Sequence, residues 1–139
     1  ERLSRKNLKF KLESKTNDYS LVFGEKSWLK NQVFSNLISN AIKFSHSGGE
    51  IVARVNQKND QVVVQIQDYG VGISEDMKGN IFDITTSSSK NGTDGEQGTG
   101  FGLPIVKQYV KMMSGEIRLL SKEEADQGTC FEMVFKKCA

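Results

Sequence analysis

Asp68-Tyr-Gly-Val-Gly72 and Gly98-Thr-Gly-Phe-Gly102 are two glycine clusters on either side of a polar, serine-rich stretch. Glycines let backbone N–H groups approach an anion closely, and a polar segment between them can close over it. The glycines alternate and Asp68 precedes its cluster, which differs from the Gly-x-Gly-x-x-Gly pattern of a Rossmann fold. With an asparagine-bearing helix upstream, the two clusters indicate a nucleotide-binding protein of another kind.

The hydrophobic periodicity around the clusters changes repeatedly between that of strands and that of helices. The predicted strands are Lys9–Glu13, Tyr19–Phe23, Glu50–Asn56, Gln61–Gln67, Glu116–Ser121 and Thr129–Lys136, and the predicted helices are Glu25–Phe44 and Leu103–Met113. Pro104 lies in the first turn of the second helix, and Gly115 is expected to end it. Hairpin-like strand pairs with helices grouped between them favour an α+β two-layer sandwich.

Length and composition limit the classes of protein to consider. The 139 residues fit a single domain, and a net charge of +2 makes no strong case for nucleic-acid or membrane binding. No apolar run reaches about 18 residues, so no membrane span is expected. One histidine makes a zinc site improbable, and Cys130 and Cys138 are expected to be reduced thiols in a cytosolic setting. Because the chain begins at Glu1, we expect a piece of a longer protein.

Asn36, Asn40 and Lys43 lie on one stripe of the first predicted helix, within about 60° of one another. Asparagine is a mediocre helix former, and its amide oxygen is a hard, neutral ligand suited to Mg²⁺. Two simply exposed asparagines and a snorkelling surface lysine are the alternative.

The glycine clusters support two further contacts with a nucleotide. Asp68 ends a strand, and its acceptor-only carboxylate suits an exocyclic amine such as that of adenine, although an ordinary Asp-Gly turn would look the same. The cluster ending at Gly102 opens a helix whose free N–H groups could hold phosphate oxygens, with help from Thr99 or Lys90. A glycine-rich linker is the alternative there.

In this order, the segments resemble the ATP-binding catalytic domain of bacterial-type sensor histidine kinases, within the wider gyrase–chaperone–kinase–mismatch-repair (GHKL) ATPase superfamily. The resemblance covers roughly residues 8–136. Its motifs are Asn36-Leu-Ile-Ser-Asn40-Ala-Ile-Lys43-Phe44, Asp68-Tyr-Gly-Val-Gly72-Ile73, Ile81-Phe82-Asp83, Gly98-Thr-Gly-Phe-Gly102-Leu-Pro, and Gly128-Thr-Cys-Phe131. It implies the Bergerat-type sandwich, with a mixed, mostly antiparallel sheet packed against about three helices.

The resemblance also implies roles for individual residues. Asn40 would bind Mg²⁺ on the phosphates of ATP, Asn36 would support the site, and Lys43 would face phosphate. Asp68 would accept a hydrogen bond from the adenine amine, and Gly98, Gly100 and Gly102 would hold the phosphates beneath a lid formed by residues 83–97. The other residues expected near the nucleotide are Phe44, Gly70, Gly72, Ile73, Phe82, Lys90, Thr99, Phe101, Leu103 and Thr129.

The implied function is donation of the ATP γ-phosphoryl to a histidine on a separate, dimerising helical domain, and then to an aspartate of a response-regulator receiver domain. Residues 1–8 would be the remnant of the linker to that helical domain. His46 has no acceptor motif around it, so the chain by itself is expected to bind ATP without phosphorylating itself. The domain would be cytoplasmic and make no direct membrane contact, whether or not the longer protein is membrane-anchored.

Two other functions fit the same motifs. An anti-sigma-type serine/threonine kinase shares the fold, and the sequence upstream of Glu1 would distinguish it. A degenerate scaffold that binds without catalysis is disfavoured by the presence of Asn40, Asp68 and the glycines. Superfamily hydrolases commonly carry a glutamate general base where this chain has Asn36, which argues for transfer to an acceptor rather than fast hydrolysis.

Overall fold

The computed structural model describes residues 7–14, 29–73, 81–82, 102–120 and 128–136. Within these ranges there are five strands, β1 (Lys9–Ser14), β2 (Glu50–Lys58), β3 (Gln61–Asp68), β4 (Glu116–Leu119) and β5 (Thr129–Lys136). The helical elements are a π-helical segment, Leu29–Phe34, followed by α1 (Ser35–Phe44) and α2 (Gly102–Met112).

The strands form one mixed sheet in the order β1-β2-β3-β5-β4. β1 runs parallel to β2, and every other neighbouring pair is antiparallel. The helices cover one face of this sheet. The predicted α+β sandwich with a mostly antiparallel sheet is therefore confirmed.

The hydrophobic core lies between the helices and one face of the sheet, because alternate side chains of a strand point to opposite faces. The sheet contributes Ile51, Ala53, Val62, Val64, Ile66, Phe131, Met133 and Phe135, and the helical layer contributes Val33, Leu37, Ala41, Val106 and Val110. The intervening residues form what we call the rear face, which carries Arg54, Gln65, Gln67, Glu132 and Arg118. A functional site that uses residues of the helices must therefore lie on the helix-covered side of the sheet.

Most predicted elements are present, with small shifts at their ends. β2 and β3 extend one or two residues beyond the prediction, β5 has the predicted bounds, and β4 ends at Leu119. The prediction of one continuous α-helix was wrong for Leu29–Phe34, which is π-helical. The predicted strand Tyr19–Phe23 lies outside the described residues.

α2 ends in a Schellman motif near the predicted position, although Gly115 is not the residue with the left-handed backbone. Ser114 has that conformation, with φ +59°. Its N–H donates to the carbonyl of Lys111 at 3.0 Å, and the N–H of Gly115 donates to that of Val110 at 2.9 Å. Gly115 is instead required by packing, since a Cβ there would lie 2.9 Å from both the Phe135 ring and the Val134 carbonyl oxygen.

Two expectations drawn from the composition concern the cysteines and the absence of a membrane span. Cys130 is a free, buried thiol whose pKa is raised to about 11, chiefly by desolvation. Cys138 lies outside the described residues. Among the helices that the structure describes, none is long and apolar enough to cross a bilayer.

Adjacent substitutions at the end of α2 should have opposite effects on stability. Gly115→Ala should lower the free energy of unfolding by about 1–3 kcal/mol, because the new methyl group is forced against Phe135 and Val134. Ser114→Gly should raise it by up to about 1 kcal/mol, because glycine adopts a positive φ without the penalty of a side chain. Urea unfolding of both variants measures this, and stabilisation by Gly115→Ala would contradict the described packing.

Candidate functional site

The first glycine cluster docks directly on the C-terminal end of α1. The N–H of Val71 donates to the carbonyl oxygen of Phe44 at 3.2 Å. A Cβ at Gly70 would overlap that same carbonyl and would lie 3.0 Å from the Cα of Ser45. Gly70 is therefore required by the close approach of two backbones, and this contact holds the end of β3 next to the predicted asparagine stripe.

Asp68 is a buried carboxylate at the end of a central strand, only 5% exposed. It lies on the helix-covered face, as its register partner Ile51 does. Its Oδ1 accepts a hydrogen bond from the N–H of Gly70 at 2.9 Å. Loss of water raises the pKa of Asp68 from its ordinary value of 3.8 to about 6, against the opposing effect of hydrogen bonds from the backbone of Gly70 and Thr129.

Gly72 and Gly128 complete the surroundings of this carboxylate. Both have positive φ, +75° and +74°. A Cβ at Gly128 would overlap the carbonyl oxygen of Asp68, and one at Gly72 would lie 3.3 Å from the carbonyl oxygen of Gly128. Thr129, which follows Gly128, is buried and is the register partner of Asp68. The first glycine cluster and the Gly128-Thr129 pair therefore form one packed unit.

Asn36, the first residue of the predicted asparagine stripe, faces the start of α2. Asn36 and Asn40 are half-buried, so the alternative of two simply exposed asparagines was wrong. The Nδ2 of Asn36 donates to the carbonyl oxygen of Gln32, in the π-helical segment. Its Oδ1 lies 3.6 Å from the position a Cβ would take at Gly102, the first residue of α2. The carboxamide thus presents its oxygen to Gly102, the one residue of the second glycine cluster that the structure describes.

Lys43 is buried, 7% exposed, so it is not a solvated surface lysine. Its Nζ lies 4.7 Å from the centre of the Phe44 ring, within cation–π range. Lys43 thus lies next to the asparagine stripe, and its contact with phosphate stays a prediction.

Three other predicted residues, Ile73, Phe82 and Leu103, are partly buried against the core. The Phe82 ring meets Phe131 edge-on, with centroids 6.1 Å apart, and the Nζ of Lys107 lies 5.5 Å from its centre. The structure thus gives these residues a packing role, and their contact with a ligand stays a prediction. Lys90, Gly98, Thr99, Gly100 and Phe101 lie outside the described residues.

The candidate site residues inferred from the sequence do not include Arg54, whose charged side chain reaches the residues on either side of Asp68. Arg54, on the rear face of β2, contacts Gln67 and Tyr69. Its signal in the sequence is a lone charge within Ile51-Val-Ala-Arg54-Val55, an otherwise apolar stretch. That pattern shows that Arg54 is an unusual residue. It does not show what Arg54 contacts, because those contacts depend on how the strands pair.

Comparison with known proteins places this chain in one family. The family model described as histidine kinase-, DNA gyrase B- and HSP90-like ATPase matches residues 25–138. The chain is 42% identical over 94 residues to the sensor protein KdpD of Clostridium acetobutylicum, covering 68% of this chain and 10% of the relative. It is 33% identical over 104 residues to the signal transduction histidine-protein kinase ArlS of Staphylococcus aureus, covering 75% and 23%.

Solved structures agree with this placement. A mycobacterial sensor histidine kinase, MprB, superposes with a TM-score of 0.80 at 27% identity, covering 98% of this chain and 86% of that one. The catalytic domain of the histidine kinase ThkA gives a TM-score of 0.80 at 26% identity, covering 98% and 83%.

The chain belongs to the histidine kinase-, gyrase- and HSP90-like ATPase family, as an ATP-binding domain of the sensor histidine kinase type. This confirms the resemblance and favours it over the anti-sigma alternative. The chain spans a quarter or less of the length of the curated relatives described above.

The burial of the Asp68 carboxylate predicts the direction in which the free energy of unfolding changes with pH. Because the pKa of Asp68 in the native state lies above 3.8, the native state binds more protons than the unfolded state between pH 3.8 and about 6. The free energy of unfolding contributed by this group therefore falls as the pH rises through that window. Above pH 6 the full cost of the buried charge is present, roughly 3 kcal/mol for a shift of about two units.

Asp68→Asn should accordingly raise the free energy of unfolding of the nucleotide-free protein by up to about 3 kcal/mol at pH 7. An asparagine oxygen can still accept from the N–H of Gly70, so that hydrogen bond survives while the charge is removed. The backbone of Thr129 can lose an acceptor, so about 3 kcal/mol is the upper limit of the gain. The gain should shrink by about 1.4 kcal/mol per pH unit below pH 6. Urea unfolding between pH 5 and 7.5 measures it, with Asp60→Asn in the exposed β2–β3 turn as control; equal effects of the two variants would contradict the burial of Asp68.

Proposed function

We propose that this domain binds MgATP with the adenine at Asp68 and donates the γ-phosphoryl to a histidine of a separate helical domain. The phosphoryl would then pass to an aspartate of a response-regulator receiver domain. The observation that carries the proposal is the buried carboxylate of Asp68, held by glycines at the open end of β3 beside α1. Because burying a carboxylate lowers stability, its presence here favours a functional role as a hydrogen-bond acceptor.

Adenine recognition follows from the hydrogen-bonding capacity of Asp68. One carboxylate oxygen already accepts from the N–H of Gly70. An ionised carboxylate has further lone pairs and no donor, so it suits the exocyclic amine of adenine. Guanine carries a carbonyl oxygen at the corresponding position, which would meet the carboxylate acceptor to acceptor. The site is therefore expected to prefer ATP to GTP.

Phosphate and magnesium binding are assigned to the meeting point of α1 and α2. The oxygen of Asn36 faces Gly102, where a Cβ would occupy the intervening space, and Asn40 lies one helical turn further along α1. Neutral amide oxygens fit Mg²⁺, which takes few protein ligands and shares the phosphates of its nucleotide. When bound, the metal ion would supply neutralisation of phosphate charge. Asn40 is the proposed ligand, and Lys43 and the N-terminus of α2 are the proposed phosphate contacts.

The residue at position 36 favours transfer over hydrolysis. A carboxamide cannot act as a general base, and the nitrogen of Asn36 is already engaged by the carbonyl of Gln32. In the proposed reaction the imidazole nitrogen of the acceptor histidine forms a bond to the γ-phosphorus as the bond to the leaving oxygen of ADP breaks. The contribution of this domain is positioning and charge stabilisation, which dominate phosphoryl transfer.

Calorimetric titration with a non-hydrolysable ATP analogue tests this function. We expect micromolar binding that weakens in EDTA. Asp68→Asn should lose about 1.5–3 kcal/mol of binding free energy, about 10- to 150-fold in affinity, because a charged hydrogen bond is removed. Asn40→Ala should mainly remove the Mg²⁺-dependent part. Absence of binding by the wild type would refute the proposal, and an unchanged EDTA effect in Asn40→Ala would refute the metal assignment.

Gly102→Ala provides a separate test of the phosphate assignment. The structure leaves room for this methyl group, which would make ordinary contact with Asn36, and alanine is the better helix former by roughly 1 kcal/mol in a helix interior. Stability should therefore be unchanged or slightly higher, while affinity for the ATP analogue falls at least tenfold. Full affinity in a stable Gly102→Ala variant would remove Gly102 from the site.

A further inference from the structure

Arg54 holds three side chains together on the rear face of the sheet, opposite the nucleotide site. Its Nε donates to Oε1 of Glu13 at 3.1 Å, and its Nη1 donates to Oε1 of Gln67 at 2.7 Å. Its Nη2 lies 3.5 Å from the hydroxyl of Tyr69, at the outer limit of a hydrogen bond. The Arg54 side chain is one-third exposed and Gln67 is buried, so the contact with Gln67 is partly shielded from water.

The contacts of Arg54 depart from the strand register in one respect. Neighbouring strands align Glu13, Arg54, Gln65, Glu132 and Arg118 in a single row across the sheet. Within that row, Gln65 and Arg118 both contact Glu132, at 2.7 and 3.0 Å. Arg54 contacts Glu13 in the row, but on β3 it bypasses its register partner Gln65 and reaches Gln67 and Tyr69. These two residues immediately flank Asp68.

We propose that Arg54 is a positioning residue for the nucleotide site, acting through the two residues that flank Asp68. This inference rests on the proposed function. Side chains alternate along a strand, so Gln67 and Tyr69 point to the rear face while Asp68 points toward the helices. Holding both neighbours from behind fixes the rotation of the strand end, and with it the direction of the Asp68 carboxylate.

The chemistry of arginine suits this task. Its planar guanidinium presents several donors in a fixed arrangement, so one group can hold three partners on two segments of chain, β1 and the end of β3. A lysine ammonium is a flexible point charge and cannot reproduce that arrangement. Because Glu13 belongs to β1, the same group ties the edge strand to the strand that ends at Asp68. Binding at the nucleotide site and the placement of β1 are therefore coupled, and such coupling is reciprocal.

A double-mutant cycle between Arg54 and Asp68 tests the proposal. The measured quantity is affinity for the magnesium complex of AMPPNP, a non-hydrolysable ATP analogue, in wild type, Arg54→Ala, Asp68→Asn and the double variant. We expect Arg54→Ala to weaken binding about tenfold, within the range seen for residues coupled to a site. If Arg54 acts through Asp68, then Asp68→Asn should cost at least threefold less in the Arg54→Ala background than in wild type.

Arg118→Ala is the matched control, because it removes a similar guanidinium–carboxylate contact at the other end of the row, away from Asp68. It should change affinity less than twofold and add independently to Asp68→Asn. Arg54→Lys keeps the charge and guards against loss of folding; it should retain the melting temperature better than Arg54→Ala while still weakening AMPPNP binding.

The outcomes separate the inference from the function on which it rests. A wild type that fails to bind AMPPNP overturns the proposed function, and the positioning role falls with it. If the wild type binds, unchanged affinity in Arg54→Ala overturns the positioning role alone. Additive losses for Arg54→Ala and Asp68→Asn also overturn it, since Arg54 would then support stability without orienting Asp68. Non-additive losses together with an additive Arg118→Ala control establish it.

Discussion

The burial of one carboxylate, Asp68, is the constraint on which the rest of this site depends. A charge that has lost its water is tolerated only where backbone donors reach it, and the N–H of Gly70 and the backbone of Thr129 meet that need. The glycines next to these donors meet different needs. Gly128 lets the Gly128-Thr129 segment approach the backbone of Asp68, and Gly70 lets the first glycine cluster approach the end of α1.

Four of the glycines that the structure describes serve two distinct purposes, which their surroundings distinguish. At Gly70, Gly115 and Gly128 a side chain would collide with the protein itself, so the fold alone explains them. At Gly102 a methyl group has room and the backbone needs no unusual φ, so the fold alone explains nothing there. Glycines that look alike in the sequence therefore differ in the structure. Some are required by the packing of the protein, and one leaves space for a ligand.

The sequence was sufficient to predict features that depend on local patterns. It was insufficient to predict features that depend on contacts between distant parts of the chain. Alternation located β2, β3 and β5, and helical spacing located α1 and α2, because these periods arise within each segment. The π-helical turn was missed because inserting one residue per turn scarcely changes an apolar pattern six residues long. The burial of Lys43, the parallel pairing of β1 and the contacts of Arg54 depend on neighbours far along the chain, as Glu13 and Arg54 illustrate.

Under the proposed function, the geometry around Asn36 predicts that a single change at position 36 would not convert this domain into a hydrolase. The nitrogen of Asn36 donates to the carbonyl of Gln32, which leaves only its oxygen facing Gly102. An ionised carboxylate has no donor for that carbonyl, so two acceptors would meet unless the side chain turned away from the site. The π-helical turn that supplies the Gln32 carbonyl would have to change as well. The proposed preference for transfer over hydrolysis would therefore rest on the helix that carries Asn36, and not on one residue alone.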